Sequence, residues 1–75
     1  MKKGELKYVI TDINGFEEII IFSKSIEHST FGHMKPKTAG FINMSTGECY
    51  GLSDSLGIIS NSEDDTMVAK MYMGI

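Results

Sequence analysis

The chain has 75 residues, one cysteine, no arginine and a formal net charge of −3. A chain of this length makes a single domain (residues 1–75) with a thin stability margin, because it buries only about 60–65% of the surface its unfolded form exposes. An internal disulfide is excluded, and a Cys/His metal site is poorly supplied by Cys49, His28 and His33, so oligomerisation is the compensation left to so small a domain.

Leu6 to Ile13 reads as a strand, Asn14-Gly15 as a type I′ turn, and Phe16 to Phe22 as the returning strand. Both central residues of that turn need positive φ, which Asn and Gly tolerate best. A two-residue loop sets Ile13 opposite Phe16, Ile10 opposite Ile19, Val9 opposite Ile20 and Tyr8 opposite Ile21. One face then carries Leu6, Tyr8, Ile10, Ile19 and Ile21, and the other carries Val9, Ile13, Phe16, Ile20 and Phe22. With both faces apolar the hairpin must be covered twice, and in a domain this small another subunit is a natural second cover. The same register sets Asp12 against Glu17, an unfavourable like-charge pair that a bulged three-residue turn would move.

Ser23 to Phe31 reads as a short helix ended by Gly32 as an αL cap, although Ser25, Ser29 and Thr30 are weak helix formers. Lys35-Pro36-Lys37 is a loop, since proline neither continues a helix nor donates to a ladder. Thr38 to Ser45 and Glu48 to Leu52 form a second hairpin around Thr46-Gly47. In the following stretch, Leu56-Gly57-Ile58-Ile59 fits either a short fifth strand or a turn-rich connection. The last element is a helix: Ser62 and Asp65 match a capping box, and Glu63, Asp64 and Asp65 complement the positive helix start. Its apolar stripe is Met67, Val68, Met71 and Tyr72, with Gly74 just past the end. The expected fold is α+β, a mainly antiparallel sheet of two hairpins with two helices, in the order β-β-α-β-β-(β)-α.

The charge is uneven: residues 1–37 balance at +1, and residues 38–75 at −4. Without arginine there is no bidentate fork for guanine edges or phosphate, and Lys2, Lys3, Lys7, Lys35 and Lys37 read as solvated surface lysines, so direct nucleic-acid binding is not expected. No apolar stretch follows the charged start, and the longest apolar run is Ile19 to Phe22, far short of a membrane span. With one unpaired cysteine, a reducing cytoplasm is the expected location.

A catalytic set is hard to assemble. Cys49 lies mid-strand beside Glu48, and an acidic neighbour raises the thiol pKa, so a small buried strand cysteine is the better reading. His28 and His33 are five apart, which a helix would not place on one face. Glu17-Glu18 points to opposite faces of a strand, and Asp12 to Gly15 lacks the remaining ligands of a calcium loop. No metal, no cofactor and no enzymatic activity are expected.

The densest polar region is Gly51 to Gly57, extended by Ser60-Asn61-Ser62. It is neither a P-loop nor a nucleophile elbow. Its hydroxyls, amides and close backbone approach suit hydrogen bonding to a small polar ligand, with Gly51, Ser53, Asp54, Ser55, Gly57, Ser60 and Asn61 as the candidate contacts. The competing reading is a turn-rich connection whose serines bond their own backbone.

The run Cys49-Tyr50-Gly51-Leu52-Ser53-Asp54-Ser55-Leu56-Gly57-Ile58-Ile59-Ser60 resembles a C-x-G-x-S-x-S-L-G-x-x-S motif of small phage and prophage proteins, which also tend to place an Ala-Gly-Phe like Ala39-Gly40-Phe41 before it. The resemblance covers the C-terminal half, and Asn61 followed by acids departs from the basic residue usual after the last serine. It implies a tiny viral protein in the cytoplasm of a bacterial host. The expectation is therefore a non-enzymatic, homo-oligomeric binding protein acting on a host process, its ligand a small polar or nucleotide-derived defence signal. The alternative is a protein–protein inhibitor of a host factor using an acidic surface of Asp54, Glu63, Asp64 and Asp65.

Overall fold

The computed structural model describes residues 5–74. Lys2 and Lys3 lie outside the described residues. The elements are β1 (Glu5–Ile13), β2 (Phe16–Phe22), a 3₁₀ segment (His28–Met34), β3 (Thr38–Asn43), β4 (Cys49–Tyr50), β5 (Leu52–Ser53), β6 (Ile58–Ile59) and α1 (Ser62–Met73). β2, β1, β3 and β4 form one antiparallel sheet in that order, and β5 pairs with β6 in a second, smaller one. The fold is α+β with a mainly antiparallel sheet. No described helix is long and apolar enough to cross a membrane.

The first hairpin forms with the expected register, from Ile13 opposite Phe16 back to Tyr8 opposite Ile21. The two-residue turn is what closes it, with Asn14 at φ 53° and Gly15 at φ 85°. Asp12 does face Glu17. The clash is relieved from outside the hairpin: Lys37 Nζ lies 2.9 Å from Glu17 and 3.7 Å from Asp12, and the two carboxylates raise the lysine's pKa.

The short helix expected over residues 23–31 forms later in the chain and as a 3₁₀ segment. The chain turns through 23–26 and then forms the 3₁₀ segment, and the left-handed cap is Lys35 (φ 52°) rather than Gly32. The cause is local competition together with tertiary contacts. Ser23 Oγ takes the Ser25 N–H (3.2 Å), the hydroxyl of Thr11 donates to the Met34 carbonyl (2.7 Å), and the His28 ring is drawn inward.

The second hairpin is shorter than its sequence pattern. β3 ends at Asn43, whose carbonyl accepts the Gly47 N–H (2.7 Å) and whose side chain accepts the Ser45 N–H (2.9 Å). β4 stops at Tyr50 because Gly51, at φ +83°, turns the chain out of the sheet. Leu52 therefore belongs to β5, and the Ile58–Ile59 strand pairs with it and not with the main sheet.

α1 departs from expectation at both its cap and its buried face. The residue before it is Asn61, and Ser62 is its exposed first residue, so no Ser62 capping box exists. The acids instead reach back: Asp64 accepts the Asn61 side-chain amide (3.0 Å) and Asp65 accepts the Asn61 backbone N–H (3.0 Å). Gly74 (φ 77°) ends the helix as expected. The side turned to the sheet is Asp65 and Ala69, flanked by Val68 and Met73, while Met67, Met71 (81% exposed) and Tyr72 (66% exposed) face outward.

The two sheet faces are covered differently. α1 seals the face of Tyr8, Ile10, Ile19, Ile42 and Cys49. The other face, with Val9, Phe22 and Ala39, is covered by Phe31 of the 3₁₀ segment and by Leu56 and Ile58 of the second sheet. The two covering segments approach at Gly32, where an added Cβ would lie 3.3 Å from Leu56 Cδ2. The second cover expected from another subunit is thus supplied by the chain itself.

Candidate functional site

The covers of the second face do not meet along its whole length. Where they part, an open groove of about 890 Å³ remains. Its floor follows from strand register. Phe41 lies opposite Tyr50 across β3 and β4, which holds their rings stacked at 6.1 Å and 27°. His28 packs edge-on against Phe41 at 5.9 Å. His28 Nε2 lies 2.9 Å from the Gly40 carbonyl oxygen. A carbonyl only accepts, so Nε2 carries the proton and, in the neutral ring, Nδ1 is the acceptor.

One wall comes from β1 and the start of the 3₁₀ segment. Lys7 lies opposite Phe41, and its Nζ donates to the Ile26 carbonyl (2.9 Å) and to Glu27 (3.4 Å). Glu5 also lines the groove, tied to Lys24 at 2.8 Å. The opposite wall is Gly51, Leu52, Asp54 and Ser55. An aromatic floor between charged walls can stack a flat ring and hydrogen-bond its edges.

The candidates expected from sequence divide by position. Gly51, Asp54 and Ser55 line the groove. Ser53 is buried, and its Oγ accepts the Leu56 N–H (3.2 Å). The Gly57 N–H donates to the Ser53 carbonyl (2.9 Å), and Ser60 donates to the Gly51 carbonyl through both its hydroxyl (2.7 Å) and its amide (3.0 Å). Asn61 sits at the start of α1. Ser53, Gly57 and Ser60 hold the wall in shape, and Asn61 bonds to Asp64 and Asp65 of α1. The lining residues that sequence reasoning did not bring to the site are Glu5, Lys7, Glu27, His28, Phe41, Tyr50 and Leu52. The signal for three of them was parity: Lys7 shares the face of Val9, Phe41 lies across from it, and Tyr50 across from Phe41.

A second polar cluster lies on the other side of the sheet, under α1. Asp65 is only 3% exposed and has no lysine partner among the described ion pairs. Its carboxylate accepts the Tyr8 hydroxyl, the Thr38 hydroxyl (3.0 Å) and the Asn61 N–H (3.0 Å). Burial, and then this carboxylate, push the Tyr8 phenol well above its ordinary value. Burial and Asp65 likewise push the Cys49 thiol up to about 11, so it is a neutral core group at neutral pH. Asp65 is therefore not part of an acidic surface, which is reduced to Asp54, Glu63 and Asp64. Among the described residues, no three His, Cys, Asp or Glu side chains gather as a metal site would require.

Comparison with protein-family models, curated proteins and solved structures gives no significant match.

Proposed function

We propose that the chain is a non-enzymatic, homo-oligomeric binding protein of phage type that acts on a host process by sequestering a small, flat, polar ligand, such as a nucleotide-derived defence signal. The observation that supports this reading is the groove of about 890 Å³, within the size range of small-molecule sites, with the Phe41–Tyr50 pair as its floor. The ring system of the ligand stacks on that floor, and Asp54, Ser55 and the acceptor nitrogen of His28 meet its edge. Glu5, Glu27 and Asp54 outnumber Lys7 along the walls, so the base end enters the groove and any phosphate stays outside. The link to phage proteins rests on the motif at 49–60.

Thermal-shift titration with adenosine, ADP-ribose and a cyclic dinucleotide tests the proposal. A ligand present at ~100 times its Kd adds about 2.7 kcal/mol to the stability of the folded form. The shift should vanish in Phe41→Leu, which keeps apolar volume and loses the stacking surface. If none of these compounds shifts the transition while one host protein is captured from lysate, the groove reading fails in favour of inhibition through the acidic surface.

A further inference from the structure

β2 ends the main sheet, and the hydrogen bonding of its neighbour fixes what its outer edge presents. The two-residue turn makes Ile13 and Phe16 a hydrogen-bonded pair, so the odd residues of β1 turn their backbone groups toward β2 and the even ones toward β3. On the β3 side the Ile10 carbonyl accepts the N–H of Lys37, just before β3 (2.7 Å). In the observed register, Phe16, Glu18, Ile20 and Phe22 then bond to β1. The N–H and C=O groups of Glu17, Ile19 and Ile21 point outward from the edge. Beside this edge α1 leaves Met71 and Tyr72 exposed, and with Glu17, Glu18, Ile19 and Val68 they line a shallow hollow of about 340 Å³.

We infer that β2 pairs antiparallel with β2 of a second copy of this chain, joining two four-stranded sheets across a two-fold axis at Ile19. The proposal builds on the homo-oligomeric part of the function proposed above and is independent of what fills the groove. Three observations select a second copy. The edge is self-complementary: with Ile19 on the axis, the outward groups of Glu17 meet those of Ile21 of the second copy and the reverse. This register sets Glu17 and Glu18 opposite isoleucines, whereas a shift that puts Glu18 on the axis would oppose like charges. Antiparallel pairing also carries the acidic start of each β2 toward Lys24 beyond the other's end, which a parallel arrangement would not do. On the helix side, the same axis brings the two Met71–Tyr72 surfaces together and removes them from water.

Sedimentation of the whole chain from about 1 to about 100 µM, with amide exchange of the same sample, tests this. A dimer is expected, in which the Ile19 and Ile21 amides exchange roughly tenfold or more slowly than in a monomeric variant. Two variants attack the interface separately: Met71→Lys/Tyr72→Lys changes exposed helix side chains only, and Glu17→Pro blocks the edge at an N–H that no strand of the same chain uses. Both should sediment as monomers with an unchanged circular-dichroism spectrum, and Ile19 and Ile21 should then exchange fast while Ile20 and Phe22 stay protected. A dimer that survives in whichever variant remains folded overturns the edge pairing and leaves the oligomeric reading intact. A wild-type monomer with freely exchanging Ile19 and Ile21 overturns both, and leaves the edge to an extended segment of another protein.

Discussion

The two faces of one sheet are finished in different ways. On the α1 side a regular helix lies over the strands, and even its polar content is closed: the Asp65 carboxylate is shared among Tyr8, Thr38 and Asn61. On the other side two irregular covers, the 3₁₀ segment and the β5–β6 hairpin, touch near Gly32 and Leu56 and then diverge. A helix presents a continuous stripe and seals what it covers, whereas short irregular segments cover in patches. The difference shows how one small sheet can carry a closed core on one face and an open groove on the other.

The largest expected effect breaks the closed face. Asp65→Ala leaves the buried Tyr8 hydroxyl and the half-buried Thr38 hydroxyl without their acceptor and should cost about 3 kcal/mol, a fall in Tm on the order of 15 °C for a domain of this size. A thermal melt checks it, and a loss under ~1 kcal/mol would mean that water enters beneath α1 and the face is not sealed.

Alkaline pH probes the same face more gently. The Cys49 thiol is raised from 9.0 to about 11, so its contribution is whole below pH 9 and disappears as pH rises through 11. The amount is roughly 2 kcal/mol, and the raised Tyr8 phenol acts in the same direction above its unfolded value near 10. Urea midpoints at pH 8 and pH 11 should separate, and Cys49→Ala should narrow the gap. An equal gap in the variant would remove the thiol from the account.

The smallest effect sharpens the contrast within a single motif. Ser53→Ala strips the Leu56 N–H of its acceptor and should cost about 1 kcal/mol. Ser55→Ala, on the exposed wall, should stay within ~0.5 kcal/mol in stability and alter only ligand affinity. Chemical denaturation of both variants, with the titration described above for Ser55→Ala, distinguishes a wall serine from a scaffold serine.

Legibility in the sequence followed the range of the forces involved. The register of the first hairpin could be read because Asn14-Gly15 and the alternation beside it act locally, although the Asp12–Glu17 pairing left a bulged turn open and β1 begins at Glu5 rather than Leu6. Residues 23–34 could not, since what bends them are partners far along the chain, the Thr11 hydroxyl and the Gly40 carbonyl. α1 was readable as a helix but not in its orientation. Three residues of its expected apolar stripe, Met67, Met71 and Tyr72, are outside, while Val68, the small Ala69 and Asp65 fit against the core. Of the site, the wall residues Gly51, Asp54 and Ser55 stood together in one polar run. The floor did not, because Lys7, His28, Phe41 and Tyr50 become neighbours only through strand register.

The run at 49–60, with the Ala39-Gly40-Phe41 before it, also takes on a physical meaning. A Cβ at Gly40 would collide with the Tyr50 carbonyl oxygen, and one at Gly51 would lie 3.0 Å from Phe41 Cδ2. Those two glycines, with Ser53, Gly57 and Ser60, describe how the wall is folded more than what it holds.

The double grip of Ser60 on the Gly51 carbonyl has a consequence for how this protein can change. It pinches residues 51–60 at the neck while Leu56 and Ile58 stay packed on the main sheet, which leaves the tip at Asp54 and Ser55 exposed. Residues exchanged or inserted at that tip would reshape one side of the groove while the strands below keep their pairing. The tip is in that sense an interchangeable part, which could vary without refounding the fold.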